Sequence, residues 1–433
     1  MEPVSQAAPT AQSERISILD SLRGFAILGI LLMNIGAFGH PGDVFALGET
    51  GANFNTWYII SWIPDGTQRA LFSMLFGAGI ILFIRSAEKK VEGIRPADYF
   101  FRRQLWLAVF SLLDVFILLW HGDILMDYAI FGMLLFTFRN LSAKKLIIAA
   151  VVCLVFMLAR ENRDLYLDKQ VISRGEAVAA IDTTKVKLTP KQQDQLGAME
   201  EKKNNSKIEK RKKRIEKNKV TLSSGTYEDV YDWRTERWVN DLVEYIFYGL
   251  WDVLLFMFLG MAFFKMGILT GTVPAKVYWW MLIIGLGIGL FLSWLQVQEA
   301  IKYQYNRFEY TKNTGIAFYQ LHRVFRSLGL FALLMLLYKS GVFKWLFALM
   351  RPVGQMAFTN YLMQSILCGF YFNSYGLGMY GKLQRFEIYY VVAAVWIFQI
   401  ILSHIWLHYY RFGPFEWAWR SLTYWKSQPF RKK

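Results

Sequence analysis

Apolar residues along this chain come in long runs rather than in alternation. Gly24–Phe38 contains no charge, and neither does Val277–Gln298. A bilayer core takes roughly 20 residues of helix, and runs this long lack the period-two pattern of barrel strands. The pattern therefore predicts an all-α, polytopic integral membrane protein with about ten transmembrane helices. They are Arg23–Gly39, Thr67–Arg85, Arg103–Trp120, Asp123–Phe138, Lys145–Ala159, Leu242–Met266, Val277–Gln296, Ile316–Leu337, Met356–Phe372 and Ile388–His408. The organisation that follows is a polar segment 1–22, a five-helix bundle 23–159, a polar basic insertion 160–241, a second five-helix bundle 242–410 and an aromatic-basic tail 411–433. No internal repeat of the kind that marks many transporters is visible.

The short loops predict the orientation. Arg85–Arg103, Arg139–Lys145, Lys265–Lys276, Lys339–Arg351 and the terminal Arg431-Lys432-Lys433 are basic and fall on one side of a ten-helix chain. The positive-inside rule makes that side cytoplasmic, with both termini, and puts the insertion Arg160–Asp241 outside; long loops cross largely regardless of charge. Met1–Glu14 is polar and lacks a basic n-region, so no cleaved signal peptide is expected. Within the insertion, Thr189-Pro190 predicts a helix start. The charged run after it reads as a solvated surface helix or as a contact for anionic headgroups.

Composition narrows the class further. Of 433 residues, 55% are apolar and only 19% charged, against about 25% charged in soluble domains, which excludes a soluble enzyme, a disordered chain and a disulfide scaffold. The net charge is +16. Half of it sits in Lys185–Lys219, with 13 basic and 5 acidic residues, and the rest lies at helix ends. Nucleic acid is therefore not an expected partner, and the lipid bilayer is. Cys153 and Cys368 lie in apolar runs and read as helix packing. His404 and His408 have the His-x-x-x-His spacing but no acidic third ligand nearby, so no metal is expected.

Polar groups inside a bilayer are candidate functional residues by default. Asp20 and Arg23 open the first helix, where Asp20 suits the capping position and Arg23 the inner interface. Asn34 lies about three turns on, near the outer end. His121, Gly122 and Asp123 form the turn between the third and fourth helices, with Asp127 and Tyr128 following. Asp123 either caps the fourth helix or orients the His121 imidazole for proton transfer. Arg69, His322 and Arg323 fall at the same outer level and would join them in a polar cluster. Asn360 and Gln364, four apart on one helix face, line a cavity or bond to a neighbouring helix.

Four segments together resemble the YeiB-like bacterial membrane proteins: 15–26 (RISILDSLRGFA) with Asn34-Ile35, His121-Gly122-Asp123-Ile124-Leu125, Gly354 to Gln364, and Gly413 to Arg420 (GPFEWAWR). They run in order over almost the whole chain. The resemblance implies kinship to transmembrane acyltransferases that include heparan-α-glucosaminide N-acetyltransferase. Those enzymes move an acyl group from acyl-CoA to a sugar across the membrane. The first helix is also similar to that of type-3 acyltransferases, which carry Arg, ten residues, then His; here Asn34 stands where the histidine would be.

What the resemblance implies is a bacterial inner-membrane acyltransferase with acetyl-CoA as donor and a sugar-like acceptor at the outer face. His121 would be the base, Asp123 its orienting acid and Asn34 the oxyanion donor. Asp20, Arg23, Asn360 and Gln364 would bind CoA, its phosphates meeting Arg23 and the inner basic residues, and Arg69, Tyr128, His322 and Arg323 would bind the acceptor. A transporter or exporter of an anionic metabolite needs the same intramembrane polar residues. A non-catalytic membrane partner is the third reading, and a homodimer is compatible with each.

Overall fold

A computed structural model describes residues 16–244 and 249–432. The described residues are helical throughout, apart from turns and one isolated bridge, Tyr410 to Arg431. Five stretches are long and apolar enough to cross a membrane: Ser17–Gly39, Gly51–Glu88, Ala275–Lys302, Tyr319–Ser340 and Ile388–Tyr409. The chain is thus a multi-pass helical membrane protein. Met1–Glu14, on which the signal-peptide expectation rests, and Arg15 lie outside the described residues, as do four residues of the sixth expected helix.

The first half comprises α1 (Ser17–Gly39), α2 (Gly51–Trp62), α3 (Thr67–Glu88), α4 (Arg95–Phe116), α5 (Leu125–Leu135) and α6 (Ala143–Ala179). Three helices follow within the insertion: α7 (Pro190–Asn205), α8 (Ile208–Ser224) and α9 (Tyr227–Glu244). The second half holds α10 (Leu250–Lys265), α11 (Ala275–Lys302), α12 (Arg307–Asn313), α13 (Tyr319–Ser340), α14 (Lys344–Gln355), α15 (Ala357–Phe372), α16 (Ile388–Tyr409) and α17 (Pro414–Tyr424).

Several elements differ from the sequence expectation for local reasons. Helix α1 begins two turns early, at Ser17, so Asp20 lies inside it rather than at its cap; the cap position is Ile16. Helix α6 runs on far past Ala159 because no proline interrupts it, and its polar half becomes the first arm of the insertion. The expected loops His40–Gly66 and Lys339–Arg351 contain helices α2 and α14. The Thr189-Pro190 start is present as a full capping box, with Gln192 reaching back to the Thr189 N–H at 2.9 Å.

Glycines set how closely the halves approach. Helix α1 packs on α14, and α3 on α10. A Cβ on Gly354 would stand 1.7 Å from the Asp20 carbonyl oxygen, and one on Gly260 would stand 1.9 Å from that of Met74. With no hydrophobic drive between helices in lipid, such backbone proximity supplies the packing energy. The crossing of α1 and α14 carries Asp20, Arg23 and Gln355 to one end of the bundle.

The opposite end is closed by the insertion. Arg211 of α8 makes a paired contact with Asp43, at 2.7 and 2.6 Å. Arg385 holds Glu49 at 2.6 Å, and the His40 Nε2 lies 3.1 Å from the same carboxylate. Burial pushes the Glu49 carboxyl up, but the hydrogen bonds from His40 and Arg385 outweigh it and leave the group below its ordinary range. The insertion is thus bolted to the helix ends rather than free in solvent.

Candidate functional site

A cavity of about 590 Å³ lies between α1, α3, α4, α5, α10, α14, α15 and α17, a size typical of small-molecule sites. Its mouth is basic. Arg23 comes from α1, Arg85, Lys89 and Lys90 from the end of α3, Arg103 from α4 and Arg420 from α17. Two carboxylates line it among the described residues, Asp20 and Glu416. Arg23 bonds Asp20 at 2.7 Å, and Gln355 donates to the same carboxylate at 3.3 Å. Glu416 faces the start of α15, accepting from the backbone N–H groups of Phe358 and Thr359 at 2.7 and 3.0 Å. The Arg103 guanidinium lies 3.5 Å from the centre of the Trp419 ring. A surplus of positive charge therefore rings the opening.

Inward, the walls become apolar and aromatic: Phe72, Leu75, Phe76, Ile80, Phe83, Phe100 and Phe358. Gln104 interrupts them, 1% exposed, and its Oε1 has no hydrogen-bond partner among the described residues. That oxygen lies against Gly132 of α5, and a buried acceptor left this way costs about 1–3 kcal/mol. At the far end stand two tyrosines. The Tyr128 hydroxyl is 2.7 Å from Ser73 Oγ, and the Tyr361 hydroxyl donates to Asp123 Oδ1 at 3.2 Å.

Beyond Tyr128 an ionic chain links four helices, α3, α5, α10 and α13. Arg69 donates to Asp127 at 2.7 Å and lies 3.8 Å from Asp252. Arg323 donates to both oxygens of Asp252, at 3.2 Å through Nη1, and to Gln320 at 2.9 Å. Of the expected cluster, Arg69 and Arg323 thus meet at Asp252, with Tyr128 beside Arg69. His322 turns away from them, its Nε2 within 2.5 Å of Gln296 Oε1.

The expected His121–Asp123 pair does not form. Asp123 Oδ2 accepts from the Leu125 and Met126 N–H groups at 3.0 and 3.1 Å and from Ser111, so it caps α5. His121 Nδ1 instead accepts from Arg234 Nη1 at 2.8 Å, beside Trp233. Arg234, on α9 and 1% exposed, also donates to the Ala37 carbonyl and Asn373. Asn34 makes no side-chain hydrogen bond among the described residues, and neither it nor His121 lines the cavity.

Asn360 and Gln364 fasten helices together, and neither lines the cavity. Asn360 donates to the Val353 carbonyl and Ser403, and Gln364 to the Ile27 carbonyl and Gln399. Arg85, Lys89, Lys90 and Arg103 were expected at the CoA phosphates only collectively, as inner basic residues, and Arg420 only as part of the interfacial tail. Gln104 and Tyr361 carried no signal that separates them from packing residues.

Comparison with known proteins identifies relatives over the full length. "Uncharacterized protein YxaH" of Bacillus subtilis (strain 168) is 30% identical over 460 aligned residues, covering 99% of each chain. The chain belongs to the YeiB-like family. "Uncharacterized protein YeiB" of Escherichia coli (strain K12) is 26% identical, over 95% of this chain and 96% of that protein. The family model described as "Protein of unknown function (DUF418)" matches residues 263–426. That match takes in the Gly354–Tyr361 and Glu416–Arg420 walls of the cavity in this YeiB-like chain. No solved structure matches.

Proposed function

We propose that the protein is a membrane-bound acyltransferase that takes acetyl-CoA, or a related acyl-CoA, into the basic-mouthed cavity. The observation that carries this reading is the cavity's polarity: cations at the opening, an aromatic shaft interrupted by the Gln104 amide, and two hydroxyls at the end. A polyphosphate head suits Arg23, Arg103 and Arg420, an amide-bearing arm suits Gln104, and a thioester would arrive between Tyr128 and Tyr361. The acceptor's oxygen or nitrogen then bonds to the acyl carbon as the C–S bond breaks. The acceptor's proton passes by Tyr361 to Asp123 and on to the departing sulfur, and Tyr128 donates to the carbonyl oxygen. Asp123 replaces His121 as base in this reading, because His121 is held by Arg234 away from the cavity.

The test is acetyl-CoA binding by calorimetry to the purified protein, with radiolabelled acetyl transfer alongside. A charged hydrogen bond contributes about 1.5–3 kcal/mol, so Arg23→Ala should weaken binding by roughly tenfold or more with helix content unchanged. Equal binding by the folded variant would remove the donor from this mouth. Binding with flux into proteoliposomes and no transfer would assign export of an anion instead.

The same reading places the mouth in the cytoplasm of a bacterial inner-membrane protein with about ten spans, both termini inside and α7–α9 outside. Basic short loops support it. A cysteine at Lys213 on α8 should react with a membrane-impermeant maleimide added to intact spheroplasts, and one at Lys90 should not. The reverse pattern inverts the orientation.

A further inference from the structure

We propose that a second hollow, between α14 and α16, binds the phosphate of an anionic lipid headgroup. It measures about 480 Å³ and lies back to back with the first cavity, Gln355 forming a wall of both. Arg351 and Gln355 stand one turn apart on α14, and His404 and His408 one turn apart on α16. Arg411 and Lys432 complete the rim, and no carboxylate lines it among the described residues. The Arg351 Nε is buried and has no hydrogen-bond partner among the described residues.

The rim is built rather than loose. The C-terminal segment folds back beside the end of α16: Arg411 N–H donates to the Phe430 carbonyl and Lys432 N–H to the Tyr409 carbonyl, both at 2.9 Å. Rings clamp it there, with Trp406 stacked on Tyr410 at 4.4 Å and Tyr410 and Trp417 against Phe430 at 4.7 and 5.0 Å. Trp417 Nε1 donates to the Gln428 carbonyl at 2.8 Å. A belt of tryptophan and tyrosine marks headgroup depth. A basic pocket between helices at that depth suits a lipid phosphate, which a free anion in bulk water would not need the ring belt to meet.

The probes are dihexanoyl phosphatidylglycerol, dihexanoyl phosphatidylcholine and inorganic phosphate, bound to the purified protein and read by native mass spectrometry. Phosphatidylglycerol is expected to bind at least about tenfold more tightly than either of the others, and the Arg411→Gln/Lys432→Gln double variant to lose about tenfold. Arg351→Gln should lose a similar factor. Acetyl-CoA binding in the double variant should stay at the parent level, since neither residue lines the first cavity, and this also reports folding. Phosphate binding as tight as the lipid would overturn the headgroup assignment in favour of a free anion. Lipid binding unchanged in both variants, or equal for the two lipids, would overturn the site.

Discussion

Asp252→Ala is expected to destabilise the protein by about 3–5 kcal/mol, the cost of stranding a buried charge. Asp252 is the acid that Arg323 grips through both guanidinium nitrogens, and Arg69 stands 3.8 Å away. Arg323 is 5% exposed, so water cannot take over the lost interaction. Deleting the carboxylate leaves Gln320 as its side-chain hydrogen-bond partner. The readout is thermal unfolding of the purified protein in detergent micelles. The control is Asp252→Ala/Arg323→Met, which removes both charges: apolar replacement of a buried pair is often neutral, so the double variant should recover most of the loss. A single variant as stable as the parent, or a double variant less stable than the single, would show that the pair is not what holds α13 to α10.

Gly79→Leu should abolish acetyl-CoA binding, by about a hundredfold or more, without loss of stability. Gly79 lines the shaft, and the nearest atom to a Cβ built there is the Arg23 Nη2, at 4.0 Å. A leucine would therefore project into empty volume beside the mouth. Replacing glycine inside a helix also favours the helix, by about 0.8–1.0 kcal/mol relative to alanine. Gly354, facing the same cavity, is the opposite case, since its Cβ would meet backbone at 1.7 Å. Binding affinity and melting temperature measured on Gly79→Leu separate occupancy from folding. Parent-level binding by this variant would mean that the donor lies elsewhere.

Much of the fold was legible along the chain, and the site less so. The long apolar stretches, the Thr189-Pro190 helix start and the basic short loops are local signals, and the structure has helices at each of the expected runs it describes. The hidden helices were α2, α12, α14 and α17, whose mixed composition reads as loop or tail. At the site, Arg23, Arg69, Tyr128 and Arg323 were visible as intramembrane polar groups. Asn360 and Gln364 were visible too, but hydrogen bonding to a helix and lining a cavity leave the same trace in a sequence. Asp123 offered two roles, and its own backbone neighbours, Leu125 and Met126, took the carboxylate before His121 was in reach.

The sequence by itself determined that the chain is helical, apolar and multi-pass, and that its positive charge gathers in the 160–241 insertion and at helix ends. Those properties follow from runs and spacings within one segment. Only the tertiary structure decided which face of each helix turns inward. Lipid is as apolar as a helix interface, so the hydrophobic pattern that orients helices in water says little here. The most apolar 18-residue stretches of Ser17–Gly39 and Ala275–Lys302 are alike, at 1.7 and 1.9 mean hydropathy, yet 72% of the first stretch is buried and 22% of the second. The ring of Arg23, Arg103 and Arg420, the Arg69–Asp252–Arg323 chain and the capture of His121 by Arg234 depend on those rotations. They join residues far apart in the chain, and nothing local to any one of them names its partner.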